Sequence, residues 1–243
     1  MTGENLGKEK LVNEILPEVI AKSIIKEAAE MGFSREHYLK LINILMDTAL
    51  TNSSASPKTE ENNNNPDYLN PKVKEFPLVS EKIKIRRIDK STDIPLFEKW
   101  LSDPEGRLFL LTRTTVRNYT IDNLVEENAD IVGVITTPDD IPIGIMAFLD
   151  VDKEQRKAEL RKMIGENSYK GKGLGKEATK LWINYGANVL NFKKIYLNTL
   201  EANVRNIRIN RALGFHVEGV FKNECLIDGE YKDILRMGLL LNQ

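Results

Sequence analysis

The chain has 243 residues, with 35 basic and 36 acidic side chains, a formal net charge of −1, two histidines and one cysteine. Near-neutrality leaves no global field to draw the protein to nucleic acid or an anionic membrane, so neither is expected as a partner. One cysteine excludes an intrachain disulfide, and with only His37, His216 and Cys225 a metal site or a histidine-based triad lacks parts.

No apolar run approaches 18 residues, and the start Met-Thr-Gly-Glu-Asn-Leu-Gly has no signal-peptide pattern. A soluble, cytoplasmic protein is expected. Residues 1–50 read as a helical appendage of two amphipathic helices. Leu11, Ile15, Leu16, Val19, Ile20, Ile24 and Ala28 follow helical spacing, Gly32 stops that helix, and Ser34 caps the next, which carries Leu41, Ile42, Leu45, Met46 and Ala49 on one face. Two such helices cannot enclose a core alone. They must dock on the rest of the chain, on another protein, or on a second copy in a homo-oligomer. Residues 51–80 read as a flexible linker: the stretch from Thr51 to Asp67 is rich in Asn, Ser, Glu and Pro and too poor in apolar residues to offset the entropy of ordering.

Beyond the linker, Ile83-Lys84-Ile85-Arg86-Arg87 alternates as a strand, and Thr92 or Asp93 is expected to cap a helix ending near Leu101. Gly106 to Asn128 is ambiguous. Ile131–Ile135 and Ile143–Leu149 read as strands joined through Pro138-Asp139-Asp140, and Ala158–Ile164 as a further strand. Next comes Tyr169-Lys170-Gly171-Lys172-Gly173-Leu174-Gly175-Lys176-Glu177, opening a helix whose Ala178, Leu181, Trp182, Tyr185 and Val189 share a face. Ile195–Leu200 is the next strand, Asn203 caps a helix stopped by Gly214, and two closing strands meet at Asp228-Gly229. The order β-α-α-β-β-β-α-β-α-β-β gives an α+β, or mixed α/β, domain over residues 81–243.

The glycine loop carries the chemistry. Backbone N–H groups exposed at a helix N-terminus bind phosphate or pyrophosphate. A P-loop is excluded, because five residues separate Gly165 from Gly171-Lys172 and Gly173 follows where Ser or Thr is needed. The dinucleotide fingerprint is excluded too: the glycines are spaced G-x-G-x-G, and Asn191 to Leu200 holds no acid. The pattern that fits is Lys170-x-x-Gly173-x-Gly175. With Asn203-x-x-Asn206, Ala212-Leu213-Gly214-Phe215, Glu218-Gly219 and Asp228-Gly229-x-Tyr231-x-Asp233-x-x-x-Met237, it makes the region from Glu81 to Gln243 resemble the GNAT N-acetyltransferase superfamily. It looks like the branch that contains ribosomal-protein alanine acetyltransferases and spermidine acetyltransferases. Lys170 stands where that family usually has Arg or Gln.

The resemblance implies a mostly antiparallel twisted sheet flanked by helices. It also implies direct acetyl transfer from acetyl-CoA, as co-substrate, to a primary amine: a protein N-terminus, a lysine or a polyamine. Cofactor contacts are expected from Lys170, Gly171, Lys172, Gly173, Leu174 and Gly175, from a backbone N–H near Met163 or Ile164 facing the oxyanion, and from Asn198, Asn203 and Asn206. Asn203 is equally explained as a helix cap. Many relatives place a thiolate-protonating tyrosine where this chain has Asn210; since a thiol of pKa about 8.5 leaves about 2 kcal/mol to be found at pH 7, that loss is tolerable. Asn210 could instead contact the sulfur. A lysine-like amine costs about 4.6 kcal/mol to neutralise at pH 7 and an α-amine about 1.4, so a base is required. Glu159 is the first candidate and Asp233 the second, with Tyr231 beside it; Glu159 and Asp233 are also explained as salt-bridged partners of Arg161 and Arg236. Two other readings stay open: a CoA-binding or assembly module with weak or no catalysis, and a nucleotide-binding protein using the same nest.

Overall fold

The computed structural model describes residues 16–34, 37–38, 40–45, 76–103, 106–110, 131–200 and 202–241. It divides into two compact units, Met1–Pro57 and Lys58–Gln243.

In the first unit, helix α1 (Leu16–Glu30) ends as its sequence requires. Gly32 takes φ +77°, its N–H donates to the Ala29 carbonyl, and the Phe33 N–H reaches back to Ala28. This pair of bonds is the Schellman stop, in which only glycine adopts the left-handed turn without strain. Residues 37–38 and 40–45 are helical again, with the Tyr38 N–H donating to the Ser34 carbonyl. Met46 and Ala49 of the expected apolar face, and linker residues 51–75, lie outside the described residues.

The second unit is built on one sheet: β1 (Leu78–Val79), β2 (Lys84–Arg87), β3 (Ile131–Thr136), β4 (Pro142–Asp152), β5 (Lys157–Ile164), β6 (Lys194–Leu200), β7 (His216–Ile227) and β8 (Glu230–Leu240). The strand order is β1-β2-β3-β4-β5-β6-β8-β7. Every neighbouring pair is antiparallel except β5–β6. Helix α2 (Lys90–Ser102) follows β2, α3 (Leu174–Asn188) follows β5 and α4 (Val204–Arg211) follows β6. This is the mixed α+β arrangement expected. The Asp228-Gly229 turn has φ of 52° and 82°, the two left-handed positions of a tight hairpin.

Two boundaries differ from expectation. Leu78–Val79, assigned to the linker, form a strand of the sheet: Leu78 pairs with Ile85 and is buried, and the nearby Phe76 ring lies 4.9 Å from that of Tyr185. Linker composition stops earlier, and a two-residue strand carries too little periodicity to be seen in sequence. The N-cap of α2 is Asp89, whose side chain accepts from the Ser91 N–H, rather than Thr92 or Asp93. Asp93 has another task. It is fully buried, forks onto Arg86 at 2.7 and 2.8 Å, and accepts the Asp89 N–H at 2.7 Å, tying α2 to β2. After α2 a 3-10 turn spans Gly106–Leu110; the rest of the ambiguous segment lies outside the described residues.

Packing against the sheet follows the side-chain alternation. On one face, Phe148 of β4 stacks on Trp182 of α3, with ring centroids 5.2 Å apart. On the other, Ile145, Ala147 and Leu149 pack against Phe97 and Trp100 of α2 and against Phe109. Cys225 sits buried beside Ile234, and burial pushes its thiol pKa up.

Candidate active site

The site begins where two strands part. β5 and β6 pair in parallel at Lys157↔Lys194, Ala158↔Ile195 and Glu159↔Tyr196, and at no later position. From Leu160 on β5 and Leu197 on β6 the strands diverge, and a cleft of about 630 Å³ opens between them. Its walls include Leu160 to Gly165 of β5 and the turn after it, Leu197 to Leu200 of β6, and Asn203, Arg205, Asn206 and Ile209 of the α4 region. The loop residues Tyr169, Lys170, Gly171, Gly173, Leu174, Gly175 and Lys176 close one end.

The loop conformation is fixed by its glycines. Gly171 and Gly173 both take φ +80°, Gly173 serves as the N-cap of α3, and nothing lies within 4 Å of where a Cβ on Gly173 would stand. A Cβ at Gly171 would meet only a guanidinium nitrogen of Arg205, 3.8 Å away. The loop is thus open above its backbone, faces the amide end of α3, and has Lys170, Lys176 and Arg205 around the cleft. That combination suits a pyrophosphate. Lys172 is not among the cleft-lining residues, and its ammonium lies 5.3 Å from the centre of the Tyr169 ring. The loop is braced from α2: Glu166 accepts from Lys99 Nζ and Trp100 Nε1, each at 2.8 Å, and the Lys99 bond, with a smaller part from Trp100, holds its carboxyl below the usual range.

The three asparagines divide. Asn203 is the N-cap of α4, its side chain accepting the Asn206 N–H at 3.1 Å. Asn206 lines the cleft and donates to Thr199 Oγ1 at 3.2 Å. Asn198 also lines it, but its amide is engaged on both sides, donating to Glu159 at 2.7 Å and accepting from Arg236 Nε at 3.1 Å. Met163 and Ile164 stand on the diverging part of β5.

Glu159 is not among the cleft-lining residues. It is 1 % exposed, and its Oε1 receives Arg161 Nη2 and Asn198 Nδ2, each at 2.7 Å. The Arg236 guanidinium lies over Tyr196 and Phe221, 4.7 and 4.8 Å from their ring centres, and burial, with Glu159 nearby, raises the Tyr196 hydroxyl to about 12. In this geometry the carboxylate orients Arg161 and Asn198 in the cleft wall. Asp233 and Tyr231 also stand apart from the cleft. Asp233 is bonded to Lys222 Nζ at 2.5 Å and to the Asn223 N–H at 2.9 Å, and Tyr231 is 66 % exposed. The Lys222 bond keeps the Asp233 carboxyl below its ordinary value.

Among the charged residues of the cleft, sequence reasoning missed four as site residues: Arg161, Lys162, Arg205 and Asp103. Lys162 is the most unusual. Its ammonium donates to Asn210 Oδ1 at 2.5 Å, and burial lowers its pKa to about 7. Asn210 is fully buried, and its Nδ2 has no hydrogen-bond partner among the described residues. For Lys162 the available signal was its place on the strand that runs into the glycine loop, an even number of residues from the apolar Leu160 and Ile164.

Residues 82–216, more than half of the chain, match the acetyltransferase (GNAT) domain. The chain belongs to the GNAT acetyltransferase family. It is 38% identical over 100 residues to spermidine N(1)-acetyltransferase of Escherichia coli K12, covering 41% of this chain and 53% of that protein. It is 28% identical over 116 residues to the Vibrio cholerae spermidine N(1)-acetyltransferase, covering 48% and 66%. These matches span only about half to two thirds of the relatives' length. Among solved structures, the fold is similar to that of V. cholerae spermidine N-acetyltransferase in complex with CoA and spermine, with a TM-score of 0.58, 21% identity, and coverage of 67% of this chain and 97% of that one. No described helix is long and apolar enough to cross a membrane.

Proposed function

We propose that this chain is an acetyl-CoA-dependent N-acetyltransferase that transfers the acetyl group directly to a primary amine, with a polyamine as the preferred acceptor. The observation that carries this reading is the divergence of β5 and β6 beside a loop of left-handed glycines at the head of α3. Parting strands admit a slender pantetheine arm between two backbones, and the loop offers the diphosphate its amides. Lys170, Lys176 and Arg205 add charge around it. Family membership and the spermidine acetyltransferases among the relatives support the same reading.

Bound there, acetyl-CoA supplies the thioester that the acceptor attacks. The protein's part is to hold, orient and manage protons. A backbone amide near Met163 or Ile164 serves as the oxyanion donor, an effect of about 3 kcal/mol where such donors are preorganised. Glu159, Arg161 and Asn198 keep the adjoining wall rigid. Asp103 is the one carboxylate among the described cleft residues, and we assign it to the acceptor's cationic end. We assign the N-terminal helices to self-association, as exposed Val19, Ile20 and Ile25 suggest; one V. cholerae spermidine N-acetyltransferase structure is described as dodecameric.

Calorimetric titration with acetyl-CoA, followed by acetyl transfer to spermidine, to an N-terminal peptide and to free lysine, tests the reading. Binding with turnover on spermidine is expected. Binding without turnover on any amine would leave only a CoA-binding module, and competition by ATP alone would point to a nucleotide site. Gly173→Val should abolish acetyl-CoA binding while the domain stays folded, because the new side chain is strained at φ +80° and fills the open space over the loop.

A further inference from the structure

The acetyl-transfer reading leaves one proton without a donor. When the amine nitrogen bonds to the acetyl carbon and the carbon–sulfur bond breaks, the electron pair leaves on sulfur, and the acceptor nitrogen carries one proton too many. The tyrosine acid that the resemblance implies is absent, for Asn210 stands at that position on α4. Asn210 does, however, hold another group. Lys162 lies on the diverging part of β5, lines the cleft, and donates to Asn210 Oδ1 at 2.5 Å.

The register shows which face Lys162 occupies. It pairs with Met146, between the pairs Phe148↔Leu160 and Gly144↔Ile164. Directly paired residues share a face, and Phe148 stacks on Trp182 of α3 while the Ile164 side chain lies beside Gly175. Lys162 is therefore on the side of the sheet that carries the glycine loop and α4. Arg161 and Met163 take the opposite face by alternation, the α2 side, where Met163 packs against the core cluster that includes Phe97 and Trp100.

We propose that Lys162, oriented by Asn210, is the proton donor to the departing CoA sulfur and is recharged, directly or through water, by the proton the acceptor nitrogen must lose. One proton moves from nitrogen to sulfur through one ammonium group, and no other reactant is consumed. The inference rests on the acetyl-transfer reading.

The group's acidity suits the task. An ordinary lysine, near 10.4, is a weaker acid than a thiol near 8.5, so giving its proton to a thiolate would be unfavourable by about a hundredfold. Burial brings Lys162 to about 7, which makes the same transfer favourable by roughly thirtyfold. The neighbours do not oppose this. Met146 stands across from it on β4, Leu160 and Ile164 flank it on its own face of β5, and Asn210 faces it from α4. Besides Lys162, the charged residues of the cleft are Arg161, Lys170, Lys176, Arg205 and Asp103, so cations outnumber the single described acid.

Three measurements test the proposal. Titration of the Lys162 amine in the full-length wild-type protein, by NMR of labelled lysine with Lys162→Arg for assignment, should show a midpoint near 7; a midpoint near or above 10 overturns the idea. Lys162→Met should lose the preference for CoA over desulfo-CoA in calorimetry, whereas equal weakening of both ligands means that the lysine only shapes the cleft. With spermidine, kcat should fall about 10²-fold or more in both Lys162→Met and Lys162→Arg, since arginine keeps the charge but does not release its proton. If either variant keeps kcat within threefold of wild type, Lys162 is not the donor. Failure of the wild type to bind acetyl-CoA or to turn over would instead sink the acetyl-transfer reading, and the amine titration would still be readable.

Discussion

The indole of Trp100 occupies the space where a side chain on Gly165 would begin: a Cβ built there would lie 2.2 Å from Trp100 Cδ2. Gly165 follows β5 directly, and its N–H donates to the Ile143 carbonyl at 2.8 Å. Trp100 in turn donates to Glu166. The last residues of the cleft wall and the first of the glycine loop are therefore set against α2 by a contact that excludes any side chain.

Gly165→Ala should consequently disturb a loop it does not belong to. Trp100 is buried and hydrogen-bonded, so the backbone must yield, and overpacking of this kind costs about 1–3 kcal/mol. The expected result is a lower Tm together with acetyl-CoA affinity reduced by at least tenfold. Gly175→Ala is the control: its Cβ would make only an ordinary contact, 3.7 Å from Ile164 Cγ1, and should leave Tm nearly unchanged.

Glu159 gives a second prediction. Because Arg161 and Asn198 both donate to Oε1, replacing the carboxylate by an amide leaves a buried guanidinium without its counter-charge. Glu159→Gln should destabilise the domain by about 3–5 kcal/mol, the usual consequence of breaking a buried pair from one side. Activity should fall through a misplaced cleft wall, and raising the pH should not restore it. Recovery of kcat at high pH with an unchanged Tm would instead make Glu159 the general base.

What the sequence disclosed follows from how local each signal is. The glycine loop, the Asn203 cap and the Asp228-Gly229 turn are each written in a few adjacent residues and stand where expected. The pairing of Glu159 with Arg161 was also legible, since two residues on one strand share a face. Asp233, in contrast, carries two readings in sequence, second candidate base or partner of Arg236, and is bonded to Lys222 and Asn223 on β7. Register across a hairpin with bulges, between Val217 and Gly219 and between Phe221 and Cys225, is not readable from spacing. The contact of Lys162 with Asn210 joins residues 48 apart on two elements, and no local pattern announces it.

Removal of residues 1–74 is expected to leave a folded domain, because β1 begins at Leu78 and the contact division falls at Pro57. Acetyl-CoA affinity should be retained. Sedimentation should show a smaller assembly than the full chain if the exposed apolar residues of α1 and of residues 40–45 mediate self-association. An unchanged sedimentation coefficient per protomer would remove that role, and lost affinity in a well-folded truncation would mean that the helices complete the site.

Lys162 makes stability depend on pH in a direction that can be worked out. Its pKa is lowered in the folded state to about 7, from an ordinary value of 10.5. Below pH 7 the amine is charged in both states, and the folded protein bears the full cost of holding an ammonium in a desolvated position. Between 7 and 10.5 the folded state has released the proton while the unfolded chain retains it, so folding gains stability as the pH rises. Above 10.5 both states are neutral and the cost is gone. Lys162→Met removes this dependence, at the price of a hydrogen bond to Asn210, which costs about 1–3 kcal/mol at every pH. The variant should therefore be more stable than wild type by a few kcal/mol near pH 6, with the advantage shrinking steadily towards pH 10. Denaturant titrations of both proteins at pH 6, 8 and 10 measure it. A stability difference that stays flat across this range would mean that Lys162 keeps an ordinary pKa, and it would also deprive the proton-donor proposal of its acid.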